Sequence, residues 1–184
     1  VYDRIQLPAV VQAYRIPAYG SDDFYAVDML NRLLSSGNSS RLNKTLKDRD
    51  QQAVYVGAFS FPFEHPGLGI AFAIANSGVD PDSLESSMDR EFGRVRQELV
   101  GEAELNKLKA QIETEFVKDN SRMEGIASNL ASAHTFLGNT AAINQEVQSY
   151  LRVTPEDLRR VAGQYFDPAR RVVLHYLPQS QQKK

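Results

Sequence analysis

His65, His134 and His175 are the only histidines in the chain, and it has no cysteine. The lack of thiols excludes disulfides, thiolate nucleophiles and cysteine-ligated zinc. A catalytic zinc needs about three protein ligands and an open position. No two of these histidines lie close enough in sequence to form the inverted zinc motif H-x-x-E-H. Glu64-His65 has the form of that motif's end, but Phe61 occupies the position of its first histidine. The setting, Glu64-His65-Pro66-Gly67, is a proline-bounded turn. His65 therefore reads as a solvated turn residue and His134 as a packed or surface residue of a helix. His175 reads as a last-strand residue explained by pairing and burial. No catalytic residue, metal ligand or cofactor is assigned to this chain.

Serine is plentiful in Ser35-Ser36-Gly37-Asn38-Ser39-Ser40, but no nearby histidine and carboxylate suggest a triad. The same loop could cradle an anion at the N-terminus of the next helix. Helix capping accounts for it more simply. Gly37 and Asn38 tolerate the left-handed backbone that ends a helix, and Ser39 or Ser40 can accept from a free backbone N–H. Neither a P-loop nor a dinucleotide fingerprint is present. Glu102, Glu104, Glu113 and Glu115 lie with Lys107, Lys109 and Lys118 on one predicted helix, where a solvated, charge-paired face is expected.

The elements that position these residues follow from periodicity and punctuation. Residues 5–16 read as a strand with Pro8 at an irregularity or edge. Tyr19-Gly20-Ser21-Asp22 is a turn with a helix cap at Ser21 or Asp22. Tyr25, Met29, Leu30, Leu33 and Leu34 then recur at helical spacing. Arg41, Leu42, Thr45 and Leu46 suggest a short second helix. Residues 52–63 and 68–77 read as strands that pair antiparallel. Asp80-Pro81 opens a helix, Gly101 breaks it, and residues 102–137 are mostly helical with a break between 121 and 125. Ile143, Val147, Tyr150 and Leu151 mark a further helix. Thr154-Pro155-Glu156-Asp157 is a capped helix start. Residues 171–177 form a final strand, and 178–184 a polar tail. Strands first, helices in the middle and one strand at the end predict an α+β fold. Its sheet is mainly antiparallel with helices packed on one face.

At 184 residues with 42% hydrophobic content, residues 1–184 read as a single globular domain with a sizeable core. A net charge of −2 with mixed signs argues against a nucleic-acid footprint or a polybasic membrane surface. No apolar run approaches the ~20 residues of a membrane span. The first sixteen residues lack the pattern of a signal peptide, and the abrupt ends are compatible with a fragment or a processed protein.

The segments SSGNSSRLNKTL and QQAVYVGA, with the closing VTPEDLRRVAGQYFDPARRVVLHYLP, resemble the pitrilysin-like zinc peptidases in order and spacing. That family includes insulin-degrading enzyme and the mitochondrial processing peptidases. The resemblance covers nearly the whole chain and is to the non-catalytic, inactive type of domain. It implies half of a clamshell, closing a peptide-binding chamber opposite a zinc-bearing domain of the same polypeptide or of a partner subunit. Zinc is then expected on that partner and not on this chain. A non-proteolytic paralogue serving assembly or peptide binding is the alternative. The sequence assigns no compartment; the resemblance alone is compatible with a bacterial periplasm or envelope.

Active members of the family often carry an arginine and a tyrosine, seven positions apart, that touch the substrate carbonyl. Aligning QQAVYV on that pattern puts Lys47 at the arginine and Val54 at the tyrosine. Lysine keeps the charge but loses the planar fork, and valine loses the hydroxyl. Lys47, Arg49 and Tyr55 are the candidate substrate contacts. In a regular strand a one-residue offset would turn Tyr55 to the opposite face from position 54.

Overall fold

The computed structural model describes residues 1–179; of the predicted polar tail, 180–184 lie outside the described residues. Five strands form one sheet in the order β1-β5-β2-β4-β3. They are β1 (Tyr2–Asp3), β2 (Ala9–Ile16), β3 (Ala53–Phe61), β4 (Gly67–Ala75) and β5 (Arg171–Pro178). β2, β3, β4 and β5 pair antiparallel, and only the short β1 runs parallel, against β5. The predicted α+β architecture is the one observed.

Alternation decides which residues the sheet buries. Val10, Gln12, Tyr14 and Ile16 of β2 and Ala71, Ala73 and Ala75 of β4 all point to the helical side and are buried. The small alanines leave room there for the large side chains of two helices. These are α1 (Asp22–Ser35), with Met29, Leu30 and Leu33, and α2 (Pro81–Gln97), with Met88 and Phe92. α6 (Pro155–Tyr165) packs against both and reaches β2, and behind them lie α3 (Glu102–Asp119), α4 (Met123–Leu137) and α5 (Ile143–Leu151). Tyr14, Phe92 and Phe166 stack at centroid distances of 4.9–5.7 Å where β2, α2 and the end of α6 meet. No helix among the described residues is long and apolar enough to cross a membrane.

Caps fall largely where the sequence puts them. Ser21 Oγ accepts from the Phe24 N–H at 3.3 Å, and Asp80 caps α2 through the Ser83 N–H at 3.1 Å. Thr154 and Asp157 form a reciprocal capping box at the start of α6. Gly138 closes α4 in the left-handed region, with φ of 64°.

Five local expectations are corrected. The first long strand begins at Ala9, because Pro8 has no N–H to give the ladder; its carbonyl instead accepts from Ala75 at 2.8 Å. The predicted second helix is π-helical over Asn43–Arg49, with the Asp50 N–H reaching the Thr45 carbonyl five residues back. Within the preceding loop Gly37 alone is left-handed, not Asn38, and the Ser40 hydroxyl accepts from the Asn43 side chain and not from a backbone N–H. The charged face of α3 is bolted to other elements: Arg41 grips Glu104 through two hydrogen bonds, Arg32 pairs with Glu115, and Lys107 donates to Ser39. Of the predicted tail, Pro178 completes β5.

Replacing Thr154 with alanine removes the hydroxyl that accepts from the Asp157 N–H, and leaves the Thr154 N–H donating to the Asp157 carboxylate. It should lower stability by about 1 kcal/mol, read as a shifted urea midpoint with an unchanged slope. An unaltered midpoint would contradict this account of α6.

Candidate functional site

The sheet has helices on one face only, and its other face is apolar. Val172 and Leu174 of β5, Val11 and Ala13 of β2, and Leu68, Ile70, Phe72 and Ile74 of β4 share it with Tyr55, Phe59 and Phe61 of β3. Several are substantially exposed: Val172 by 70%, Tyr55 by 56%, and Phe61 and Leu68 by 44%. Arg15 is the lone charge among the β2, β3 and β4 positions of this face. An apolar surface of this extent, left open by a folded chain, marks a contact surface.

The candidate residues gather where the π-helix turns into β3. Lys47 is exposed on the last π-helical turn. Arg49 is held by Asp50 in a two-bonded ion pair, Nε to Oδ1 at 2.6 Å and Nη2 to Oδ2 at 2.8 Å. That hydrogen bonding keeps the Asp50 carboxyl below the usual carboxylate range. Gln51, at φ of 48°, reverses the chain, and the Asn76 side chain and N–H secure the carbonyls of Gln51 and Gln52.

A β-bulge then changes the reading of Tyr55. Ala53 pairs with Ala75, and Tyr55 pairs with Ile74, so Val54 is the extra residue. Ala53 and Val56 both point into the core, while Val54 and Tyr55 are both exposed. The expectation that a one-residue offset turns Tyr55 away from the face of position 54 fails, because the bulge absorbs the offset. Tyr55 stands on the open face with its ring 5.6 Å from Phe72. Gly57 makes this possible: a Cβ there would lie 2.4 Å from the Phe72 ring, which fills the glycine's place.

Beneath the π-helix lies a buried carboxylate. Glu91 of α2 is 2% exposed, with Arg94 at 2.9 Å. Burial raises its pKa, against the lowering pull of Arg94, Arg49, Arg41 and Arg90. Neither the buried acid nor its ring of arginines had a signal in the sequence beyond residue type.

The histidines separate. His65 and His134 are exposed. His175 lies on the helical side of β5, between Glu85 (Nε2 to Oε2, 2.7 Å) and Asp82 (Nδ1 to Oδ1, 3.5 Å) of α2. Among the described residues this is the one group of three potential metal ligands. It does not fit a catalytic zinc. The two carboxylates address opposite ring nitrogens, and Arg171 already binds Glu85 at 2.7 Å. Arg171 also grips Asp89, which receives the Gln12 amide at 3.0 Å. Burial and pairing account for His175 only in part; its carboxylate partners complete a polar clasp between α2 and the sheet.

A one-sided sheet with an open apolar face defines an α+β domain that offers one face for contact. Residues 2–112 match the family described as the peptidase M16 inactive domain, and the chain belongs to that family. It is 25% identical over 164 residues to the zinc protease PqqE of Helicobacter pylori, a match covering 89% of this chain and 37% of that protein. A protease structure from Helicobacter pylori superposes with a TM-score of 0.91 at 22% identity, over 97% of this chain and 43% of that one. An inactive peptidase domain from Bordetella parapertussis gives a TM-score of 0.85 at 21% identity, over 100% of this chain and 97% of that one. The chain thus spans well under half the length of the curated relative it matches.

Because its folded-state pKa is raised, Glu91 favours folding most when protonated. Its contribution is full below about pH 4.3 and falls as pH rises through the raised value. The stability of the wild type relative to Glu91→Gln should therefore increase as pH is lowered from 7 to 4. A difference that stays flat, or falls, in urea titrations at these pH values would contradict the burial assigned to Glu91.

Proposed function

We propose that this domain forms the non-catalytic wall of a peptide-binding chamber, closed opposite a zinc-bearing domain of the same polypeptide or of a partner subunit. The observation that carries the reading is the open apolar sheet face, bordered at one end by Lys47 and Tyr55. Zinc on the partner supplies a Lewis acid and an activated water. This chain supplies surface and polarity. Apolar side chains of an extended peptide lie on the sheet face and shed water. The Lys47 ammonium and the Tyr55 hydroxyl are the donors available to a peptide carbonyl oxygen as negative charge gathers on it. Arg49, engaged by Asp50, sits at the margin and meets substrate only by exchanging that carboxylate for another.

The bulge supports this assignment. It places a tyrosine hydroxyl on the face of position 54, where the alignment has valine.

The test is reconstitution. The purified chain should cleave no peptide and retain no zinc after dialysis. Joined to the zinc-bearing region of its full-length protein, or to a zinc-bearing partner, it should support chelator-sensitive hydrolysis. In that assembly Tyr55→Phe should lower kcat by about 10- to 100-fold with little change in KM, as expected for loss of a donor acting in the transition state. An assembled protein that binds peptide but never cleaves it would replace this reading with that of a non-proteolytic paralogue. Zinc-dependent cleavage by the chain alone would overturn it from the other side.

A further inference from the structure

We propose that the open edge of β3 is itself a docking site, at which an extended apolar peptide adds to the sheet as an antiparallel strand. The proposal rests on the chamber reading and gives it a substrate class: unfolded segments with apolar residues at alternate positions.

β3 is the terminal strand of the sheet, and among the described residues no strand lies beyond it. The backbone parity of its edge is fixed by one contact. The Ala58 carbonyl accepts from Ser35 Oγ of α1 at 2.8 Å, so Ala58 directs its backbone away from β4. Strand alternation turns Val56 and Ser60 the same way, while Gly57, Phe59 and Phe61 address β4. Edge strands are commonly protected by charge, proline or brevity. β3 has none of these: its nine residues, AVYVGAFSF, contain no charged residue and no proline. It is interrupted by the bulge at Val54, at the end next to Lys47, and the Ala58 carbonyl already accepts from Ser35 on one of its two lone pairs.

The outward side chains beside this edge form a continuous aromatic row. Tyr55 and Phe72 lie 5.6 Å apart, Phe72 and Phe59 6.1 Å, and Phe59 and Phe61 5.0 Å. A peptide strand paired with β3 would set every second side chain against that row. Backbone hydrogen bonds would supply affinity, and the alternate side chains selectivity.

Charge sets the direction. Ahead of β3 the exposed charges are Lys44, Lys47, Asp48, Arg49 and Asp50, of which Arg49 and Asp50 pair with each other, so this end is net positive; Glu64 is exposed just after the strand. An antiparallel peptide brings its carboxylate end toward the lysines and its ammonium end toward Glu64. A parallel one meets like charge at both ends.

The test uses an octapeptide of alternating valine and serine with free termini, titrated into the purified chain by calorimetry and by amide chemical shifts of residues 53–61. With valines on the aromatic side, antiparallel pairing aims the serine N–H groups at β3 and the valine N–H groups at solvent. N-methylation of the serines should weaken binding at least tenfold, and N-methylation of the valines should leave it unchanged. Phe59→Ser should weaken binding, and Val172→Ser, on β5, should not. The reverse methylation pattern, equal binding of both methylated peptides, or no binding of the parent would each overturn the proposal. So would self-association of the chain through β3 that the peptide fails to displace, which would give the edge to a second copy. No zinc-bearing domain is present, so failure here leaves the reconstitution result standing, and failed reconstitution leaves this binding result standing.

Discussion

The constraint on which the rest of the molecule depends is the two-sidedness of a β-strand. Each inward residue obliges its neighbour to point the other way. Here α1, α2 and α6 cover only the inward set. A chain made to stand alone would place polar residues on the outward set, as antiparallel sheets with one solvated face do. This one places Leu68, Ile70, Phe72 and Ile74 there on β4 and Phe59 and Phe61 on β3. Each such side chain is worth roughly 1.5–3 kcal/mol when fully buried. Part of that stabilisation, most of all at Leu68, Phe59 and Phe61, stays unrealised until another surface arrives, so association is written into the strand pattern itself.

Holding a bare sheet flat against its helices requires purchase from the covered side. The polar clasp supplies it at the β2–β5 side. Arg171 is almost wholly enclosed, and hydrogen bonding to Asp89 raises its pKa and keeps it charged. It joins β5 to α2, while Gln12 and Tyr14 bring β2 into the same network. Enclosed charges of this kind contribute little net stability, but breaking one partner is costly, so they fix register more than they add strength. On the opposite side, Ser35 and Asn31 of α1 hold β3 through the Ala58 carbonyl and the Ser60 hydroxyl. The sheet is gripped at both margins from beneath, which leaves its upper face unobstructed.

Much of this was legible in the sequence because it is local. Ser21, Asp80 and Thr154 announce their helices by side-chain chemistry that acts within three residues. The alternation of LGIAFAIA announces β4. What was not legible was set by contacts between distant segments. The π-helix over Asn43–Arg49 has an ordinary helical composition; Leu42 and Leu46 are buried as an α-helix would bury them. The Thr45 hydroxyl bonded to the Arg41 carbonyl, and the need to deliver the chain into Gln51 and β3, accompany the wider turn. The bulge at Val54 depends on the register with Ile74, twenty residues away in sequence. The carboxylates around His175 come from a helix some ninety residues earlier.

The bulge shows how an alignment and a structure can disagree over one residue and both be informative. Counting positions gives Val54 the place of a hydroxyl donor, and valine has none. Counting faces gives that place to Tyr55, because two successive residues oppose the single Ile74 and both turn outward. A bulge also sharpens local twist and re-aims the side chains it carries. The position of a donor relative to a peptide is therefore set by the pairing of β3 with β4, and not by its distance in sequence from Lys47. Substitutions that remove the bulge would return Tyr55 to the core side, where its hydroxyl would meet the packed alanines of β4. The same strand that offers an edge to a peptide thus also decides whether a phenol stands over it.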